Sequence, residues 1–195
     1  MDQTIRDVRP LSRWVIRGAW ASAFFLVAES IAELCGGASA DWENDSVAVH
    51  LASVGLFLSF FGALIIALRW IYLVSKAAYI LTDGETTKPG WAVGWYFVPF
   101  ANLWKPYEAM REAWQVSQNV ENWPQVPTDY LPTWWGLWIS FNIVSNLSAR
   151  LPSEPAMWLG LVAALLSIPL AWMFTRLVRD LSAALSGARV AEVFA

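Results

Sequence analysis

Charged residues are scarce in this chain of 195 residues. They make up 15% of the sequence, whereas a soluble domain typically carries about a quarter. Long apolar segments take their place, because 57% of the residues are hydrophobic and the mean hydropathy is +0.42. This composition argues against an ordinary soluble domain and is typical of a helical membrane protein.

Cysteine, histidine and clusters of basic residues are almost absent as well. The single cysteine, Cys35, excludes an intramolecular disulfide and a cysteine-based zinc site. The net charge of −3, without a basic block, argues against a nucleic-acid partner. The sequence has one histidine, no HExxH motif and no phosphate-binding glycine loop, so we identify no catalytic, metal or cofactor residues. It therefore favours a protein without enzymatic activity and without a cofactor.

Four segments have the length and apolar character of membrane-spanning helices: residues 14–34, 47–72, 133–151 and 156–177. Each is near or above the roughly 20 residues that cross a bilayer core. We expect the second helix to extend past the membrane and to end near Asp83-Gly84. A fifth apolar stretch, residues 91–104, would rise only about 21 Å as a helix and is interrupted by Pro99. The sequence thus predicts a single all-α membrane domain over residues 1–195, built as a four-helix transmembrane bundle.

The distribution of lysine and arginine decides between four and five spans. With four spans and a cytoplasmic N-terminus, twelve of the thirteen basic residues face the cytoplasm and only Arg150 lies outside. If residues 91–104 crossed the membrane, the split would be eight to five. The positive-inside rule therefore predicts four spans with both termini in the cytoplasm. Residues 91–104 are then interfacial or re-entrant.

The central segment, residues 89–118, is rich in tryptophan and proline. Pro89 suits the first turn of a short helix, Pro99 would end it, and a second helix would begin near Pro106. One face of that second helix holds Tyr107, Met110, Trp114 and Ser117, and the other holds Glu108, Arg111, Glu112 and Gln115. We expect a cytoplasmic interfacial hairpin whose amphipathic helix lies along a surface.

This segment carries a long and unusual motif. Its residues are Pro89, Gly90, Trp91, Gly94, Trp95, Pro99, Asn102, Leu103, Trp104, Pro106, Tyr107 and Glu112, supported by Arg69-Trp70, Leu131-Pro132 and Trp134-Trp135. The motif resembles the DUF4328 family of bacterial membrane proteins, whose function is unknown. The resemblance implies a fold and a location in the bacterial inner membrane, but no activity. The family tends to carry an asparagine after the second span, where this chain has Lys76-Ala77-Ala78.

Six residues of the hairpin form a candidate surface for a protein partner or for membrane lipid: Trp91, Trp95, Asn102, Trp104, Tyr107 and Trp114. Tryptophan prefers the membrane–water boundary, so these side chains would form either a simple interfacial belt or a recognition surface. Asn102 would either bind a ligand or, as turn asparagines usually do, satisfy local backbone groups.

Five polar residues form a candidate intramembrane site: Glu29, Glu33, His50, Asn142 and Asn146. The two glutamates and His50 lie near the outer ends of the first two spans, where they would bind a cation or relay protons. The commoner alternative is a set of solvated or snorkelling charges. Asn142 and Asn146 would line a polar path or, more often, hydrogen-bond between helices.

Small residues recur every four positions in three of the predicted spans: Gly55, Ser59, Ala63 and Ala67, then Gly18 and Ser22, then Gly160 and Ala164. Such stripes let helices approach closely, either within one chain or between copies in a homo-oligomer. We hypothesise a non-enzymatic scaffold or accessory subunit that docks a membrane or cytoplasmic protein partner on the hairpin. Lipid or small-molecule binding and transport through the bundle is the alternative, and a membrane enzyme is the third hypothesis.

Overall fold

The computed structural model describes residues 8–36 and 47–194, which form six α-helices and no β-strand. The helices are α1 (Arg9–Gly36), α2 (Val47–Leu81), α3 (Pro89–Gly94), α4 (Lys105–Gln118), α5 (Leu131–Ser148) and α6 (Ser153–Phe194). Single 3-10 turns lie at Trp95–Phe97, Ala101–Leu103 and Trp123–Gln125. The prediction of an all-α chain is thereby confirmed. Arg6, which was counted in assigning the orientation, lies outside the described residues.

Three helices are long and apolar enough to cross a membrane. The candidate spans are Arg9–Cys35 in α1, His50–Leu81 in α2 and Glu154–Leu185 in α6. The helices α1, α2 and α6 contain the predicted first, second and fourth spans. The predicted third span coincides with α5, which contains three tryptophans and two asparagines and is not among these three candidate spans. A crossing by α5 therefore stays a prediction.

The end of α2 follows from its sequence. Gly84 has a φ of 93°, a conformation that glycine adopts without strain and that commonly ends helices. Its N–H donates to the carbonyl oxygen of Tyr79 at 2.8 Å. With 35 residues, α2 is about 52 Å long, more than the roughly 30 Å of a bilayer core. The predicted helical extension to Asp83-Gly84 is confirmed.

The described residues group into two compact units within the domain that the sequence predicts. We call them the charged unit, residues 8–15, 65–132 and 176–194, and the apolar unit, residues 16–36, 47–64 and 133–175. Ten of the twelve described basic residues belong to the charged unit, and only Arg17 and Arg150 belong to the apolar unit.

Small residues bring α1 and α2 together in the apolar unit. A Cβ added to Gly18 would lie 2.8 Å from the Cβ of Ala63, and one added to Gly55 would lie within 2.3 Å of the Phe25 ring. Both distances are shorter than real Cβ contacts. Gly18 meets the Cβ and the backbone of Ala63, so glycine is required there for the helices to approach this closely, whereas Gly55 meets only the Phe25 side chain. The predicted small-residue stripes therefore pack within one chain at Gly18, Gly55 and Ala63.

Aromatic side chains connect α6 to α1 and α5 in the same unit. The Trp20 indole N–H donates to Thr175 Oγ1 at 3.0 Å. The Trp134 ring stacks on Phe174, with the ring centroids 6.1 Å apart and the planes at 13°. α6 continues as one helix through Pro169.

Large side chains fill the core of the charged unit. The ten largest fully buried side chains of the described residues all lie in this unit: Trp70, Met110, Leu131, Leu177, Leu181, Val15, Val74, Val116, Val178 and Pro106. Trp70 is 0% exposed, and its indole N–H donates to Ser182 Oγ at 3.1 Å. The polar atom of this buried ring is therefore satisfied, as buried tryptophan requires.

Candidate functional site

α4 is the platform on which the central segment folds. It begins at Lys105, with Pro106 in its first turn, and contacts α3 and all three 3-10 turns. Its apolar face is buried and consists of Pro106, Ala109, Met110, Ala113, Trp114 and Val116. Two residues of the face that was expected to lie along a surface, Met110 and Trp114, are therefore packed inside the charged unit. A position of α4 along the membrane surface stays a prediction.

The buried side of α4 also contacts the proline-rich segment that connects α4 to α5. We call this segment, residues 119–130, the return segment. Gln115, which the sequence assigned to the polar face, is buried, and its Nε2 donates to the carbonyl oxygens of Val126 at 2.7 Å and Pro124 at 3.5 Å. The Trp114 indole N–H donates to the carbonyl oxygen of Pro127 at 3.3 Å. Prolines lack an N–H, so side-chain donors from α4 satisfy carbonyl groups that this segment cannot pair by itself.

Tyr130 fastens the end of this return segment to α6. Its hydroxyl donates to Asp180 Oδ2 at 2.9 Å, and the Arg176 guanidinium carbon lies 4.4 Å from the ring centroid. The Trp114 ring meets Tyr130 edge-on at 5.5 Å. Burial raises the pKa of the Tyr130 hydroxyl, and the hydrogen bond to Asp180 and the charge of Asp180 raise it further. Tyr130 is therefore protonated at neutral pH and available as a donor.

Residues 89–104 lie between α2 and α4, include α3, and contain no charged side chain. At the entrance, the Thr87 N–H donates to Glu112 Oε2 at 2.6 Å, which ties the start of the segment to α4. At the exit, Lys105 Nζ pairs with Glu108 Oε2 at 2.6 Å within the first turn of α4. Carboxylates of α4 thus engage groups at both borders of the segment.

A strained turn forms the tip of this segment. The Ala101 N–H donates to the carbonyl oxygen of Pro99 at 2.8 Å, and Phe100 between them has φ 64° and ψ −49°. This geometry is that of the rare, strained γ-turn, and a bulky residue at positive φ costs on the order of 1–3 kcal/mol. The turn leaves Phe100 78% exposed, more than any other large apolar side chain that the structure describes.

Large apolar side chains remain exposed along residues 89–104. They are Trp91, Phe97, Phe100, Leu103 and Trp104, and we call this set the apolar surface. Trp91 also stacks on the half-buried Trp95, with the ring centroids 4.6 Å apart. Exposed apolar groups that are concentrated in this way are typical of interaction sites.

A family model described as a domain of unknown function, DUF4328, matches residues 36–183. The chain belongs to the DUF4328 family. The match includes α2 to α5 and most of α6, and with them the whole apolar surface and its platform. The resemblance seen in the central motif is thereby confirmed and extended. Comparisons with curated proteins and with solved structures gave no match.

The DUF4328 chain places the six predicted surface residues at different depths. Trp91 and Trp104 are exposed, Trp95, Asn102 and Tyr107 are half-buried, and Trp114 is buried at 5% exposure. The Asn102 side chain makes no hydrogen bond within the described residues, although its backbone N–H donates to Val98 at 3.0 Å. Trp114 belongs to the packed side of α4, so it does not contribute to the apolar surface.

Sequence reasoning missed Phe97, Phe100 and Leu103 as members of the apolar surface. The prediction included Trp114 instead, because it was based on the preference of tryptophan for the membrane–water boundary. A usable signal was present, because the absence of any charge between Lys88 and Lys105 marks the whole stretch as apolar. Depth within the stretch was not readable, since it depends on how α4 packs.

The predicted intramembrane polar residues of this DUF4328 protein mostly engage close neighbours. Ser53 Oγ donates to a carboxylate oxygen of Glu29. The Asn142 amide donates to the carbonyl oxygen of Trp138, and the Asn146 amide donates to that of Asn142, both at 2.8 Å. The two asparagines therefore bond within α5, where we had expected hydrogen bonds between helices or a polar path.

Glu33 and His50 are both half-buried. A Cβ added to Gly160 would lie 4.0 Å from Glu33 Oε2, so this carboxylate approaches α6. His50 lies in the first turns of α2. Across residues 8–36 and 47–194, no group of three or more His, Cys, Asp or Glu side chains is placed to hold a metal ion.

Proposed function

We propose that this DUF4328 protein is a non-enzymatic scaffold or accessory subunit of the bacterial inner membrane. Four helices, α5 included, cross the bilayer, and both termini lie in the cytoplasm. The charged unit docks through its apolar surface at the cytoplasmic face of the membrane. The observation that carries this proposal is the exposure of Trp91, Phe97, Phe100, Leu103 and Trp104 within one uncharged stretch of the charged unit, residues 89–104.

The charge distribution supports the orientation. The charged unit contains ten of the twelve described basic residues, and basic residues favour the cytoplasmic side. The 18 residues of α5 give a helix about 27 Å long, close to the roughly 30 Å of a bilayer core. A crossing by α5 returns the chain to the cytoplasm after α6, which keeps Arg176 and Arg179 on the same side as Lys105 and Arg111.

The packing of the charged unit supports docking over a passive loop. α4 is fixed by its buried face, and the entrance of the apolar segment is bonded to Glu112. The exposed rings are thus presented by an ordered platform. Transport through the bundle has less support, because the amides of Asn142 and Asn146 are bonded to the backbone of α5.

Thiol accessibility in membranes tests this function. Cys35 is the sole cysteine, so a Cys35→Ser background allows single cysteines to be placed at Phe97 and, as a control, at Val120. Both are exposed apolar positions of the charged unit, at 66% and 37%. In inverted inner-membrane vesicles, a membrane-impermeant maleimide should label Val120→Cys fast and Phe97→Cys several-fold more slowly. After denaturation in dodecyl sulfate, the two rates should be equal.

Two results would contradict the proposal in different ways. Equal labelling of Phe97→Cys and Val120→Cys in intact vesicles would mean that nothing covers the apolar surface. Protection of Val120→Cys in inverted vesicles, with labelling in right-side-out vesicles, would place the charged unit on the opposite side of the membrane.

A further inference from the structure

The composition of the apolar surface matches a lipid boundary more closely than a protein interface. Trp91 and Trp104 lie near the two ends of the uncharged stretch, and Phe97 and Phe100 lie between them. Tryptophan favours the headgroup level of a bilayer, and phenylalanine favours the hydrocarbon. Protein interfaces usually combine an apolar centre with a polar rim that includes arginine, whereas residues 89–104 contain no ionisable side chain except Tyr96.

A bilayer is also the partner that this chain always has nearby. The same chain carries three helices that are long and apolar enough to cross a membrane. The predicted second span ends at residue 72, and residues 73–81 of α2 rise about 14 Å beyond it. The seven residues 82–88 reach at most about 25 Å, enough to bring α3 back to the bilayer. Because the spanning helices tether the apolar surface to the bilayer, its contact with lipid behaves like an intramolecular binding step, and the effective concentration of lipid is high.

The γ-turn at Phe100 is a second and independent observation. A glycine would adopt this backbone without strain, yet a phenylalanine holds the position and exposes its ring to 78%. Strained backbone persists where the surrounding structure enforces it, and it concentrates at functional sites. Here the strain fixes a large apolar ring at the most exposed position of the segment.

The neighbouring charges indicate what drives the contact. Three basic residues flank the segment, and three carboxylates lie close to them in the sequence: Lys88, Lys105 and Arg111, and Glu85, Glu108 and Glu112. Lys105 pairs directly with Glu108, so the flanks of the segment offer little net positive charge. Attraction to anionic headgroups is therefore weak, and burial of apolar area supplies the free energy of insertion.

We infer that the apolar surface inserts into the lipid bilayer of the cytoplasmic leaflet, with Phe100 at the deepest point and Trp91 and Trp104 at headgroup level. This inference rests on the proposed docking function and names its partner. Insertion requires no anionic lipid. It holds the charged unit against the membrane at a fixed depth, independently of any second protein.

Depth-dependent quenching in pure lipid tests the inference. The purified Cys35→Ser protein, labelled with an environment-sensitive fluorophore at Phe97→Cys or at the control position Val120→Cys, is reconstituted into phosphatidylcholine vesicles. Phosphatidylcholines brominated high on the acyl chain should quench the Phe97 label strongly and leave the Val120 label almost unchanged. Addition of phosphatidylglycerol or salt should change neither result.

A second variant separates insertion from folding. Phe100→Ser in the Phe97→Cys background should reduce the quenching several-fold. Its apparent melting temperature should stay at or above that of the parent, because no buried contact is lost. Quenching that Phe100→Ser leaves unchanged would overturn the assignment of Phe100 as the deepest point.

The two experiments together distinguish failure of the inference from failure of the function. Protection of Phe97→Cys in native vesicles without quenching in pure lipid would show that a protein covers the surface, so docking would stand and lipid insertion would fall. Full accessibility in native vesicles and no quenching in pure lipid would overturn both. Quenching that depends on phosphatidylglycerol would contradict insertion driven by apolar burial.

Discussion

The charged unit and the apolar unit differ in the size of the side chains that they bury completely. All ten of the largest fully buried side chains lie in the charged unit. The apolar unit instead buries mainly small residues, such as Ala23, Ala52, Ala163 and Ala164, and exposes large ones, such as Phe57. Its buried large side chains, Trp134, Trp135 and Met173, keep 3–8% of their surface exposed. In water, the hydrophobic effect drives large side chains inward. In lipid that drive is absent, and small residues are favoured because they let helices approach.

Two helices, α2 and α6, show both patterns: each exposes large side chains in the apolar unit and buries large side chains in the charged unit. α2 exposes Phe57 and Phe61 and then buries Trp70 and Val74. α6 similarly exposes Trp172 before it buries large aliphatic side chains in the charged unit. The change of rule within one helix indicates a change of solvent, which a helix assignment alone does not reveal. We therefore expect loss of a large buried side chain to destabilise the charged unit, and addition of atoms to a small interhelical residue to destabilise the apolar unit.

Trp70→Ala should have the largest effect, because it removes a fully buried indole and leaves Ser182 Oγ without this donor. Loss of a large core side chain costs about 3–5 kcal/mol. The matched control is Trp172→Ala, at a position of the apolar unit that is 57% exposed. Thermal unfolding in mild detergent should show a large drop for the first variant and little change for the second. Similar drops would refute the contrast between the units.

Gly18→Ala should have the next largest effect, because it adds a methyl group where α1 and α2 are in close contact. The new Cβ would lie 2.8 Å from the Cβ of Ala63, and an alanine side chain has no rotamer with which to move away. Overpacking of this kind costs about 1–3 kcal/mol. Gly62→Ala, which has no neighbour within 4 Å of the added atom, is the control. We expect a lower unfolding temperature only for Gly18→Ala, and equal behaviour of the pair would refute the close approach of α1 and α2.

Tyr130→Phe should have the smallest effect of the three. It removes the donor to Asp180 in the charged unit and should cost about 1 kcal/mol, since a partly exposed hydrogen bond is screened by water. Trp114 and the Arg176 guanidinium keep their ring partner. Hydrogen exchange of the return segment, residues 119–130, measures the loss, and unchanged exchange would show that this bond does not hold the segment.

The same variant predicts a dependence on pH with a definite sign. The pKa of Tyr130 is raised in the folded protein, whereas an unfolded tyrosine has a pKa of about 10. The stabilisation is therefore fully present below pH 10 and is lost as the pH rises above it. The difference in unfolding temperature between wild type and Tyr130→Phe should be constant up to that pH and should narrow beyond it. A difference that widens above pH 10 would contradict this assignment.

Local chemistry made several features predictable from the sequence. Glycine at a helix end located the end of α2, and Pro89 located the first turn of α3. The start of α4 near Pro106 and the break at Pro99 followed in the same way. Each of these depends only on which backbone angles and donors a residue permits.

Features that depend on partners distant in the sequence were not predictable. Burial of Gln115 depends on the carbonyl groups of Pro124 and Val126, which the sequence does not place beside α4. The γ-turn has no local signature, because glycine would be the expected residue where Phe100 lies. The candidate site was therefore located along the chain, but its exposed side and its tip required the fold.

The strained turn has a consequence for attempts to engineer this protein. Phe100→Gly would relieve the backbone at φ 64° and remove only an exposed ring, so a screen for thermostability in detergent should select it early. A detergent micelle has no lipid leaflet, so the screen does not test membrane insertion. It would therefore select against Phe100, the side chain on which membrane attachment depends. Selection for a stable purified protein and selection for a working one would favour different residues at this single position.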